Sequence, residues 1–274
     1  MELIPLDKSW TIRHGVLDLL AGQGQRSSAV LDRVSPLPDD LVALRRILIA
    51  WPRRAPLEVG ESGTLYRFLR FASWARGDEV QFILSGTLSA RAICADPEIV
   101  SWPLTRLLTL DGGTSQWASA ALLMRGAETL PAGAPYKLKL TAEALVARAA
   151  DGAWSPREDE TLRRQYAALP GLLAGERSFT PLHSEDYALA RAFDIISAAE
   201  GERRWPQLRG HETDRLAEME KGLLALPYIS SRDHRVVQAL AARTRADHLI
   251  PQVAHPGAVS KSWPQFWEAL AALS

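Results

Sequence analysis

One local pattern constrains this chain more than any other. A short cluster of small, polar or charged residues comes first, and an apolar run at helical spacing follows. Lys8-Ser9-Trp10-Thr11 precedes IRHGVLDLLAG, Ser62-Gly63-Thr64 precedes LYRFLRFASW, and Gly113-Thr114-Ser115-Gln116 precedes WASAALLM. Ser184-Glu185-Asp186 precedes YALARAFDIISAA, Arg232-Asp233-His234-Arg235 precedes VVQALAART, and Ser260-Lys261-Ser262 precedes WPQFWEAL. Each cluster reads as a helix start, because Ser, Thr and Asp accept the backbone N–H groups that a first turn leaves unpaired. Short apolar runs lie between the helices. Glu79 to Gly86 has the β-branched and aromatic content of a strand and ends on glycine. Lys137 to Leu140 alternates polar and apolar residues and is also strand-like. Leu41 to Trp51 and Glu158 to Leu169 have helical spacing, and turns are expected at Asp111-Gly112-Gly113, Pro131-Ala132-Gly133 and Asp151-Gly152. The Pro/Gly-rich stretch from Gly126 to Pro135 is a candidate domain boundary. Together these signals predict a mixed α/β protein with helix in excess.

Composition narrows the functional classes. With 47% hydrophobic residues over 274 positions, the chain can bury a real core. Lys and Arg total 32, as do Asp and Glu, which argues against a nucleic-acid protein with a basic surface throughout. Cys94 is the only cysteine, so an internal disulfide and a cysteine-rich zinc module are excluded and a reducing, cytoplasmic setting is expected. No apolar stretch approaches the roughly 18 residues that span a bilayer. The opening MELIPLDKSW lacks an apolar signal core. The six histidines form no metal-ligand spacing with nearby acids.

The cations among the helix starts point to anions. Lys8, Arg235 and Lys261 lie at expected starts, and Arg13 lies within the first helix. The helix dipole disfavours a cation there by a few tenths of a kcal/mol to about 1. Several starts that pair cap residues with a cation suggest sites where N–H groups and Lys or Arg converge on phosphate or carboxylate. That convergence requires the starts to meet in space, which periodicity cannot establish. Arg67 reads as a helix-surface residue, Asp233 as an N-cap, and Trp263, Phe266 and Trp267 as core. His234 fits a core imidazole and a ligand contact equally.

Seven segments, taken in order from residue 8 to 267, resemble the enolpyruvyl transferase family and its EPSP synthase (3-phosphoshikimate 1-carboxyvinyltransferase) branch. Lys8-Ser9-Trp10-Thr11-Ile12-Arg13 resembles the family's opening Lys-Ser/Thr-x-x-x-Arg segment, and Asp39-Asp40 with LVALRRIL resembles its Asp-Asp helix. Ser62-Gly63-Thr64-Leu65-Tyr66-Arg67 resembles Asn-Ser-Gly-Thr-x-x-Arg, and Thr114-Ser115-Gln116-Trp117 with ASAALLM resembles Ser-Ser-Gln-Phe-x-Ser-Ala-Leu-Leu. His211-Glu212-Thr213-Asp214-Arg215-Leu216 resembles Lys-Glu-Thr-Asp-Arg-Leu. Asp233-His234-Arg235 resembles Asp-His-Arg-Met, and Lys261-Ser262-Trp263-Pro264 resembles Lys-Ser-Phe-Pro.

The resemblance implies a two-domain inverted α/β barrel of repeated βα units, reduced in size. Residues 14–130 would form one domain, and residues 1–13 with 131–274 the other, discontinuous one. It implies transfer of an enolpyruvyl (carboxyvinyl) group from phosphoenolpyruvate to the hydroxyl of shikimate-3-phosphate, with phosphate released, in aromatic amino-acid biosynthesis. No cofactor or metal, no nucleic acid and no membrane is implied, and a monomer is favoured. Lys8, Asp186, His211 and Glu212 would be catalytic, with Asp186 as the base at the acceptor hydroxyl. Ser9, Arg13, Thr114, Ser115 and Gln116 would hold the acceptor. Gly63 and Thr64 would approach phosphoenolpyruvate, and Arg215, Arg235 and Lys261 would surround its charged groups. A dianion beside a trianion needs such a cation cluster, and vinyl-ether protonation needs placed acids and bases.

The chain also departs from the family. His211 stands where the family has lysine, Leu84 to Arg91 matches the family's Arg-Pro loop poorly, and Trp154-Ser155-Pro156-Arg157 carries Arg where the family has Tyr. The chain is shorter, with losses after Arg91 and between Gly171 and Asp186. Three readings follow: a compact EPSP synthase, a related transferase with another acceptor, and a non-catalytic anion-binding descendant.

Overall fold

The computed structural model describes residues 3–51, 55–126, 128–152, 154–210 and 213–273. The chain divides into two units, Leu6–Arg157 and Met1–Pro5 with Glu158–Ser274.

In the 6–157 unit the local signals become α1 (Lys8–Leu20), α2 (Gly24–Leu31), α3 (Asp39–Ala50), β1 (Leu57–Gly60), α4 (Gly63–Arg76), β2 (Phe82–Leu84), α5 (Leu104–Leu107), α6 (Gln116–Arg125) and α7 (Tyr136–Asp151). The caps act as their residue types dictate. The Asp7 carboxylate accepts the Trp10 N–H at 3.0 Å, and the Ser62 hydroxyl accepts the Leu65 N–H at 3.4 Å. Such a cap stabilises its helix by about 1 kcal/mol. The apolar face of α3 (Leu41, Leu44, Ile47) is fully buried and shares a core with Ile12, Val16, Leu57, Val59, Leu65 and Phe68. Each such side chain contributes about 1.5–3 kcal/mol on leaving water. Gly15 permits the closest approach of α1 and α3, since a Cβ there would lie 2.7 Å from a Leu44 methyl.

The second unit contains α8 (Glu160–Leu173), α9 (Tyr187–Ala192), α10 (Ala198–Arg204), α11 (Arg215–Leu224), β3 (Tyr228–Ile229), α12 (His234–Ala246), β4 (Gln252–Val253) and α13 (Phe266–Ala271). Its core gathers Leu162, Tyr187, Met219, Val236, Leu240, Trp263 and Phe266. Trp263 and Phe266 are thus core residues, as their sequence suggests.

The inverted α/β barrel of repeated βα units is corrected by these elements. Helix makes up 59% of the described residues, and among them the strands form two separate two-stranded parallel sheets. β1 pairs with β2 (Leu57 opposite Phe82), and β3 pairs with β4 (Tyr228 opposite Gln252). Each sheet is a single βαβ crossover, closed by α4 in one unit and by α12 in the other. Strands of two to four residues leave too few ladder positions to recruit further neighbours, so neither sheet propagates toward a barrel. The strand expected at Lys137 to Leu140 is a second correction, because those residues lie inside α7. Four alternating residues cannot outweigh the longer helical pattern, in which Leu138, Thr141 and Ala144 form one buried stripe. Among the described residues no helix is long and apolar enough to cross a membrane.

Candidate functional site

The sequence-predicted site residues divide between the units. Lys8, Ser9, Arg13, Gly63, Thr64, Thr114, Ser115 and Gln116 belong to the 6–157 unit. Asp186, Arg215, Arg235 and Lys261 belong to the other. His211 and Glu212 lie outside the described residues.

In the 6–157 unit the starts of five helices are joined by side-chain hydrogen bonds. Lys8, opening α1, donates to the Asp40 carboxylate at the start of α3 at 2.9 Å. Lys137, opening α7, donates to the Ser9 hydroxyl at 3.1 Å. Arg13, one turn into α1 and 3% exposed, binds the three helices α1, α6 and α7 together. Its Nε donates to Thr141 Oγ1 at 2.7 Å, its Nη1 to the Ser9 carbonyl at 2.8 Å, and its Nη2 to the Lys137 carbonyl at 2.7 Å and to Ser119 Oγ at 3.5 Å. Burial pushes the Arg13 pKa down to about 10. At the start of α6, Gln116 Nε2 donates to Thr64 Oγ1, at the start of α4, at 2.9 Å. Thr114 Oγ1 is buried and accepts the Gln116 N–H at 3.3 Å, and Ser115 is the residue before the first turn of α6.

Each of these starts carries about half a positive charge from its unpaired N–H groups. Lys137 adds a full charge, while that of Lys8, which keeps 20% of its side chain exposed, is paired with Asp40. Thr64, Ser115 and Gln116 are partly exposed as well. Such an end offers N–H, hydroxyl and ammonium donors to an anion.

Arg67 is not the surface residue expected from its place on α4. It is 6% exposed, and its Nε donates to Asp111 Oδ2 at 2.7 Å while its Nη1 donates to Gln116 Oε1 at 2.7 Å and to the Gly63 carbonyl at 3.3 Å. Burial lowers the Arg67 pKa, and Asp111 opposes that shift. Gly63 makes room for this approach, because a Cβ there would lie 2.8 Å from Arg67 Nη1 and 3.3 Å from Arg91 Nη1. Asp111 and Lys137 carry no functional signal in the sequence, where Asp111 reads only as part of a turn and Lys137 only as part of a strand.

In the second unit the described residues serve the protein's own charges first. Asp186 is fully buried. Its Oδ2 accepts from Arg164 (2.7 Å), the Leu182 N–H (2.9 Å) and the His183 N–H (3.1 Å), and its Oδ1 accepts from Gln165 at 2.8 Å. At the start of α12, Asp233 caps the helix through the Arg235 and Val236 N–H groups at 2.9 and 3.2 Å. It also accepts from Arg215 Nε and Thr213 Oγ1, both at 3.0 Å. Burial works against the Asp233 charge, but Arg215, the neighbouring His234 and these bonds hold its carboxyl well below the usual carboxylate range. His234 is buried in the same turn. Arg235 is 7% exposed, and its Nη1 has no hydrogen-bond partner. It lines a cavity of about 20 Å³ with Gln165, Glu185, Trp263 and Phe266, the space of about one water. Lys261 closes the short 3₁₀ helix Pro256–Lys261. A larger cavity of about 300 Å³ lies at the far ends of α8 and α12, beside Phe193, Arg177 and His248, and holds none of the expected residues.

Comparison with protein-family models, with curated proteins and with solved structures finds no match to this chain.

Proposed function

We propose that this chain binds a small metabolite carrying phosphate and carboxylate groups at the joined helix starts of the 6–157 unit. We propose further that the ligand pair is phosphoenolpyruvate with shikimate-3-phosphate, and that the reaction is enolpyruvyl transfer in a cytoplasmic setting. The observation that carries the reading is the linking of helix starts by side chains, α1 to α3 and α7 through Lys8, Ser9 and Lys137, and α4 to α6 through Thr64 and Gln116. The seven ordered motifs supply the identity of the ligands, and the helix starts supply the chemistry.

The test is calorimetric titration with shikimate-3-phosphate and with phosphoenolpyruvate at low ionic strength, followed by a phosphate-release assay with both present. Saturable binding of shikimate-3-phosphate, lost in the Lys137→Met, Gln116→Ala double variant, is expected. Binding at 100 times Kd would add about 2.7 kcal/mol of stability, readable as a rise in Tm. Absence of any heat or Tm shift at millimolar ligand overturns the reading.

A second reading, binding without turnover, is favoured by Asp186. The carboxylate expected to act as base is fully buried and already accepts four hydrogen bonds. A fully buried carboxylate with four donors already on it is not poised to take a proton from a substrate hydroxyl. Ligand binding with no phosphate release from phosphoenolpyruvate would select this reading.

A further inference from the structure

We propose that Asp111 is a positioning residue for the anion site, fixing the side-chain amide of Gln116 so that its nitrogen, not its oxygen, is turned toward Thr64. The proposal rests on the anion-site reading above for its ligand, and on geometry alone for its mechanism.

Asp111, Gly112 and Gly113 have φ of 48°, 75° and 84°, three successive left-handed residues just before α6. Glycine adopts this region freely, whereas for another residue it costs about 1–2 kcal/mol, somewhat less for Asp. Asp111 is held there by what its carboxylate accepts. Oδ1 takes the Cys94 N–H at 2.9 Å, and Oδ2 takes Arg67 Nε at 2.7 Å and Trp117 Nε1 at 2.8 Å. Its side chain is 6% exposed and that of Arg67 is 7% exposed, so the pair is shielded from water.

With Nε anchored on Asp111, the Arg67 fork presents Nη1 to Gln116 at 2.7 Å. A guanidinium has no acceptor, so the amide must turn its oxygen toward Arg67 and its nitrogen toward Thr64. Gln116 Nε2 then spends one hydrogen on Thr64 Oγ1, which frees the Thr64 hydroxyl hydrogen to point elsewhere. Two donors result, the second Nε2 hydrogen and the Thr64 hydroxyl. A flipped amide would present an oxygen and repel an anion. The chain in which Arg67 donates to both Asp111 and Gln116, and Gln116 to Thr64, thus selects oxyanions over ligands that donate hydrogen bonds.

The test compares the unaltered protein with Asp111→Asn, Gln116→Ala and the double variant, each titrated calorimetrically with shikimate-3-phosphate. Asparagine keeps the shape but must turn a donor toward one of the three N–H groups. Asp111→Asn is expected to weaken binding about tenfold, and less than twofold when Gln116 is already Ala. An equal loss in both backgrounds, or no loss at all, overturns the proposal. A second readout needs no ligand: the side-chain amide resonances of Gln116 in 15N NMR. They are expected to be well separated and slow to exchange in the unaltered protein, and to collapse toward free-amide positions in folded Asp111→Asn. Unchanged resonances refute the positioning role. If shikimate-3-phosphate fails to bind the unaltered protein, the function reading falls and the NMR result still decides this one. Should Asp111→Asn not fold, Arg67→Lys makes the same test, since one ammonium cannot bridge Asp111 and Gln116 as the fork does.

Discussion

Acidification from pH 7 to pH 5 will weaken the 6–157 unit through one buried imidazole. His14 on α1 is fully buried, with its ring 4.3 Å from that of Trp10 and 5.3 Å from that of Trp154. Neither ring nitrogen has a hydrogen-bond partner. Burial pushes its pKa from 6.5 to about 4. Asp18 opposes that shift, while Arg148, Arg157 and Arg13 reinforce it. The folded state therefore refuses a proton that the unfolded chain accepts between pH 6.5 and about 4. Stability is full above the unfolded value and falls as the pH drops through this window. The shift corresponds to about 3 kcal/mol fully expressed, and to about 2 kcal/mol at pH 5. Asp233 does not confuse the measurement. Its carboxyl lies below the ordinary 3.8, so its contribution is lost only at more acid pH. The assay is urea unfolding, followed by tryptophan fluorescence at pH 7 and pH 5, of the unaltered protein and His14→Phe. Phenylalanine keeps a ring between the indoles and cannot take a proton. The unaltered protein should lose about 2 kcal/mol more than the variant between the two pH values. Equal losses would refute the assignment of the acid sensitivity to His14.

Three other changes follow from the same geometry. Arg13→Met should destabilise the 6–157 unit by about 2–4 kcal/mol in urea unfolding, because it removes the buried hydrogen bonds to Thr141 Oγ1 and to the Ser9 and Lys137 carbonyls that tie α1 to α7. Gly63→Ala should weaken shikimate-3-phosphate binding about tenfold with a Tm change of only a few degrees, since its methyl would lie 2.8 Å from Arg67 Nη1 and displace the fork that orients Gln116. A large loss of Tm with unchanged affinity would contradict it. Asp186→Asn should destabilise the second unit by about 2 kcal/mol, because an amide cannot accept all four donors. A lowered phosphate-release rate at unchanged stability would instead return Asp186 to a catalytic role.

Sequence alone determined what depends on near neighbours. Ser62 and Asp233 cap the helices that follow them, because a carboxylate or hydroxyl reaches an N–H two or three residues on whatever the rest of the chain does. The helical spacing of α3 and the turn at Asp111-Gly112-Gly113 were legible for the same reason. The candidate residues Lys8, Ser9, Thr64 and Gln116 were also legible, as residue types grouped at expected helix starts. Tertiary structure decided which of those starts meet. Arg13 bonds to Thr141, and Lys137 to Ser9, each 128 residues away in sequence. Arg67 finds Asp111 44 residues away, so a position that reads as helix surface is buried. Tertiary structure also decided that the strands stay in isolated pairs. Strand extension depends on a neighbour arriving at the right edge, whereas a helix closes its hydrogen bonds within itself. A periodic pattern carries information over a turn or two, and the partner of a buried charge is chosen only when the core around it packs.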